Sequence, residues 1–285
     1  MIGVLGLLCY CAATVLLAPA VLMAGTWQVR RPRLALGLWH GVFASGLVAA
    51  GASLAWSVIA AVRANFSAPE AGTPWMMPTV LVLTGWISLG AVGAVAALVL
   101  QRAESILIVD RHSHGTVAAL LELAAVRTTL VGRTRVSFVG VEEPLAFAAP
   151  GLNTIIISTA LEEVLDPAEL RAVIEHERTH LLQRHGLVKR LARLNSSCLP
   201  GVLCARRFER ATNTLIELIA DDRAARICGP RAVSAALAKL AVARERESML
   251  LRAERLAARC GHDSGRRGVA AAGLAPRSNG IVRTK

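Results

Sequence analysis

The chain has 285 residues, 54% of them hydrophobic and only 4% aromatic, and 32 Lys and Arg against 20 Asp and Glu give a formal charge of +12. Its mean hydropathy of +0.50, with the apolar excess concentrated before residue 101, is that of a membrane protein, and the basic charge is read as attraction to anionic lipid headgroups. The scarcity of aromatics and the lack of any recognisable nucleic-acid motif argue against a nucleic-acid partner.

Residues 2–25, 34–62 and 78–100 are each long enough to cross a bilayer core and carry almost no charge, which predicts three transmembrane helices within a membrane region 1–101. The first span has no basic stretch ahead of it; Arg30, Arg31 and Arg33 follow it instead, as in a signal anchor. Those three arginines face a second loop, residues 63–77, that holds one Arg and one Glu. The positive-inside rule then puts the N-terminus outside and everything after Gln101 in the cytoplasm, in a multi-pass protein of the plasma membrane. Gly37, Gly41 and Ser45, with Gly46 and Ala50, place small residues four apart, which allows either close packing within one chain or a homo-oligomer.

Residues 102–260 are enough for one compact domain. It opens with a connector that mixes a strand-like stretch, 106–109, with a helix-like one, 117–127. Short apolar runs at 136–139, 145–148 and 154–158, broken by Pro144 and Pro150-Gly151, predict a small sheet.

A helix follows. Asp166-Pro167-Ala168-Glu169 reads as an N-cap, a proline at the first helical position and a glutamate three residues after the cap. Leu170, Val173, Ile174, Leu181 and Leu182 then recur at helical spacing and flank a stripe bearing His176 and His180. The string His176-Glu177-Arg178-Thr179-His180 is the motif HExxH: residues four apart share a helix face, so both imidazoles can reach one Zn²⁺, with Glu177 beside it as a general base.

A catalytic zinc needs three protein ligands and an open position. Residues 187–208, which include Leu199-Pro200-Gly201, are read as a connecting loop or as a lip that dips into the headgroup region. Thr212 or Asn213 then caps a helix that ends at Gly229-Pro230. Glu217 lies in its apolar first half, where an unpaired carboxylate is costly and a metal would resolve the cost. Asp221, one turn later on the same face, can accept the second N–H of a ligating imidazole and hold its tautomer. A last helical stretch covers 231–259, and 261–285 is a Gly/Ser/Arg-rich tail expected to be disordered. Six cysteines without CxxC spacing form no framework, and His112 and His114 read as solvated loop residues.

HERTH followed by Glu217-Leu218-Ile219-Ala220-Asp221 resembles the gluzincin pattern HExxH…ExxxD of membrane-embedded peptidases. The likeness is to the BlaR/MecR-type antirepressor peptidases and, more distantly, to HtpX-type membrane proteases. It implies a small α+β zincin-like domain behind the membrane helices, one zinc ion held by His176, His180 and Glu217, water activated by Glu177, and a protein or peptide substrate. By analogy with the family, Thr154, Ile155, Ile156, Ile157 and Ser158 form an exposed edge strand that pairs with an extended substrate. The penicillin-sensor domain and its SxxK motif have no counterpart here, so control is expected through the spans, the short loops or a separate sensor partner. The expected activity is that of a membrane-anchored zinc endopeptidase acting on a regulatory or membrane-proximal protein. The alternative is a zinc-binding but inactive membrane scaffold.

Overall fold

The computed structural model describes residues 2–22, 24–66, 76–244 and 247–272. The chain divides into two units, Met1–Ala119 with Gln183–Ile219, and Leu120–Leu182 with Ala220–Lys285.

In the first unit, α1 (Ile2–Leu22) is followed by a single turn, α2 (Trp27–Arg30), and by the long helices α3 (Pro32–Phe66) and α4 (Met76–Ala124), with residues 120–124 of α4 belonging to the second unit. Two helical segments among the described residues are long and apolar enough to cross a membrane, Pro32–Arg63 and Val82–Ala124. Three spans were expected; the first of them folds as α1, a helix of 21 residues without a charged side chain. Tyr10 Oη donates to Ser45 Oγ at 2.9 Å and so ties α1 to α3. Of the small residues, Gly37 and Gly41 meet nothing, whereas a Cβ on Gly46 would lie 3.1 Å from Thr14 Oγ1. Among the described glycines the tightest approach is at Gly85 of α4, where a Cβ would come 2.3 Å from that of Ala61.

Residues 106–109, expected as strand, are helical: from Gly93 to Gly115 no glycine or proline interrupts the chain, so α4 runs straight through and carries His112 and His114 as helical rather than loop residues.

The stretch 187–208, expected as a loop or lip, is mostly helix: α7 (His185–Cys198) precedes a turn at Pro200-Gly201, and α8 (Leu203–Cys228) starts directly after it. Neither Thr212 nor Asn213 is a cap; Thr212 is buried inside α8, whose 26 residues contain no helix breaker. Leu22, Ala35, Trp39, Ala192, Phe208 and Leu215 form the core of this unit.

The second unit holds a four-stranded sheet, β1 (Ala125–Val131), β2 (Thr134–Val139), β3 (Ala146–Ala149) and β4 (Thr154–Ser158), in the order β1-β2-β4-β3. β1 and β2 form an antiparallel hairpin whose turn places Gly132 at φ +63°, a conformation that favours glycine. β4 pairs in parallel with β2, Val136 opposite Ile155, and antiparallel with β3, Phe147 opposite Ile156. All five β4 residues are buried.

This corrects the expected edge strand. Thr154 to Ser158 lie in the sheet interior, and the edges are β1 and β3. A continuous apolar run buries both faces and is the pattern of a strand paired on both sides.

Ser158 closes β4 and caps α5 (Thr159–Val164): its Oγ accepts from Leu161 N–H at 3.2 Å and from Leu145 N–H at 2.9 Å. Ser158→Ala removes the cap and leaves a second N–H unmatched, and is expected to cost about 1–3 kcal/mol, read as a lower unfolding midpoint in detergent. In α6 (Pro167–Leu182), Glu169 Oε2 accepts from Asp166 N–H at 2.9 Å, the return arm of a capping box, and Lys239 Nζ lies 2.7 Å from the same oxygen. The expected single last helix is two, α9 (Pro230–Arg244) and α10 (Glu247–Ala272), packed on each other. α10 continues through residues expected as tail; residues 273–285 of that tail lie outside the described residues. Val136, Phe138, Ile155, Ile157, Leu161, Leu165, Val173 and Ala236 make the core beneath α6.

Candidate metal centre

α6 presents His176 and His180 one turn apart, with their Nε2 atoms 3.2 Å from each other. Two Zn–N bonds of about 2.0–2.1 Å at a tetrahedral angle would hold their nitrogens about 3.3 Å apart, so the pair fits a single zinc. The other ring nitrogen of His176, Nδ1, lies 3.0 Å from Asp221 Oδ1. Asp221 is fully buried.

Arg252 of α10 grips that carboxylate from the far side, Nε to Oδ2 and Nη2 to Oδ1, both at 2.7 Å. Burial alone would raise the Asp221 carboxyl, but the hydrogen bonds from Arg252 and His176 and their charges outweigh it and hold the group below its ordinary value. An ionised carboxylate only accepts, so His176 donates from Nδ1, which in the neutral ring leaves Nε2 with the lone pair that a metal requires.

Arg252 had not been picked out from the sequence. The available signal was a run of arginines at helical spacing, Arg252, Arg255 and Arg259, matching the consecutive acids Asp221 and Asp222. Arg255 and Arg259 bind Asp222 at 2.9 and 2.7 Å.

Glu217 rides on α8 four residues before Asp221, so the helix places both carboxylates on one face. With it, His176, His180 and Glu217 form a group of donors that could hold a metal ion. Glu217 is half-buried and Lys189 Nζ of α7 is 3.0 Å from its Oε1. The cost of burying it is therefore met in part by a lysine, which the sequence reading did not foresee. A carboxylate has about four lone-pair sites, so this ion pair does not exclude ligation.

Glu177 points to the sheet: its Oε2 accepts from Ala148 N–H of the edge strand β3 at 2.9 Å. The element beside the HExxH glutamate is thus β3, not β4. His185 is buried and lies 3.3 Å from Gln183 Oε1. Among the described cysteines, Cys9, Cys11, Cys198 and Cys228 are free thiols.

The sequence profile of Peptidase family M48 matches residues 111–284, from within α4 to the end of the last helix and beyond. No curated protein matches the chain. The match spans more than half of the chain and takes in the HERTH helix, α8 and the sheet: the chain belongs to Peptidase family M48, a family of zinc metallopeptidases.

Proposed function

We propose that this metallopeptidase is a membrane-anchored, zinc-dependent endopeptidase that cleaves a regulatory or membrane-proximal protein at the cytoplasmic face. The observation that carries the reading is the buried Asp221, which holds His176 in the tautomer a metal needs, beside a second imidazole at metal-sharing distance. His176, His180 and Glu217 would hold one Zn²⁺. When bound, zinc supplies Lewis acidity, lowering the pKa of a water toward neutrality and polarising a peptide carbonyl.

The chain's own residues do the rest. Glu177 takes the proton from the attacking water on its carboxylate and returns it to the leaving amine nitrogen. The Ala148 N–H keeps that carboxylate against β3. An extended substrate would add to the outer edge of β3 beside the Glu177–Ala148 contact, so that the scissile bond is laid across the HERTH helix.

Anchoring rests on the two apolar helices and on α1, which together would give three spans, with the N-terminus outside by the distribution of arginines. Residues 102–260 would form the cytoplasmic peptidase domain. The HERTH…ELIAD layout supports a kinship with BlaR/MecR-type and HtpX-type membrane peptidases.

The test is metal content by plasma mass spectrometry on detergent-purified protein. One zinc per chain is expected in the wild type, less than about a tenth of that in His176→Ala, and a loss of affinity of tenfold or more in Glu217→Ala. A zinc-free wild type after supplementation would overturn the reading. Stoichiometric zinc with no proteolysis of membrane-extract proteins would return the scaffold alternative.

A further inference from the structure

Within the first unit, α1, α3 and the α7–α8 junction enclose a cavity of about 250 Å³. Its walls include Cys11, Thr14 and Ala18 of α1, with residues of α3 between 39 and 50 and of the junction between 195 and 208, and they are almost wholly apolar. An engineered cavity of about 150 Å³ already holds a benzene ring, so this volume admits a longer hydrocarbon.

The ligand is not hydrocarbon alone. At the margin, the exposed Arg206 and Arg207 lie in sequence between the lining residues Ala205 and Phe208, and Arg193 is exposed near the end of α7. Outside, Leu187, Leu191, Leu199 and Leu203 are exposed along α7 and the junction. Apolar and basic side chains interleaved in this way are the composition of an element that lies in a membrane interface.

We propose that this cavity binds one acyl chain of an anionic phospholipid, whose phosphate is held by Arg206 and Arg207. The proposal rests on the membrane-anchored reading above. An apolar lining and a basic margin together specify an anionic phospholipid over an apolar peptide segment, which would lack the phosphate. Because α8 runs unbroken from the cavity wall to Glu217 and Asp221, the bound lipid would steady the helix that carries them.

The experiment is native mass spectrometry of the full chain, purified in detergent, delipidated, and titrated with phosphatidylglycerol or with phosphatidylethanolamine of the same acyl length. The wild type is expected to retain one phospholipid per chain, with phosphatidylglycerol preferred about tenfold, as two arginines near a phosphate would give. Ala50→Phe, which fills the cavity, is expected to lose the lipid. The surface variant Arg206→Gln/Arg207→Gln is expected to keep it and lose the headgroup preference, an arm that does not depend on how well the filled cavity folds. No retained lipid, equal retention in Ala50→Phe, a peptide or detergent in the lipid's place, or an unchanged preference in the arginine variant would each overturn the proposal. Alkaline carbonate washing of membranes separates the two readings. A chain that stays in the pellet but holds no lipid removes only the acyl site, and a chain that is released removes the anchored reading with it.

Discussion

Glu177→Gln is expected to abolish proteolysis, by about 10²–10⁴-fold in kcat, while leaving the zinc content at one per chain. The substitution is nearly isosteric, and the new amide oxygen can still accept from Ala148 N–H, so the link between α6 and the sheet edge persists. What is lost is a base: a carboxamide cannot take a proton from water near neutral pH. Glu177 is not among the donors His176, His180 and Glu217, so metal retention separates a failed proton transfer from a dismantled site. Release of peptides from a membrane extract, followed by mass spectrometry and paired with metal analysis, reads both. Activity within threefold of wild type would remove Glu177 from the chemistry, and a parallel loss of zinc would make it structural.

The second large effect is expected at Arg252, a residue that touches neither proposed substrate nor metal. Arg252→Met leaves Asp221 fully buried with His176 as its remaining partner among the bonds described above. Removing one partner of a buried ion pair costs about 3–5 kcal/mol, because the other charge stays in a poor solvent. A carboxyl stripped of its arginine is also less readily ionised, and so holds the His176 tautomer less firmly; zinc affinity is expected to fall about 10–100-fold.

The double variant Arg252→Met/Asp221→Asn is expected to be more stable than Arg252→Met alone, since it removes the orphaned charge, and yet to bind zinc no better. Urea midpoints in detergent give the first comparison and competition with a chelating dye the second. A double variant no more stable than the single one would show that Arg252 acts through packing and not through the Asp221 charge.

These expectations draw unequally on sequence and structure. HERTH, the Asp166–Glu169 helix start and the ExxxD spacing of Glu217 and Asp221 were legible because each is local: three or four residues along one helix decide them. Glu169 accepts from Asp166 N–H at 2.9 Å, and Asp221 lies 3.0 Å from His176 Nδ1. The short strands were legible as apolar runs, but their order was not. Thr154–Ser158 looked like a substrate-binding edge by analogy and is an interior strand, while the edge beside Glu177 is β3.

The chain alone determined where the candidate metal donors stand along α6 and α8 and which stretches are apolar enough for a bilayer, since both follow from spacing and composition over tens of residues at most. Tertiary structure decided the rest. It set Arg252 against Asp221, thirty-one residues apart; Lys189 against Glu217 across a turn; β3 at the sheet edge; and residues 195–208 against α1 and α3 around a cavity. Periodicity reports which face of an element is apolar, but not which other face it will meet. That choice is made by the packing of all the elements at once, where each buried charge must find a partner and each apolar surface a cover.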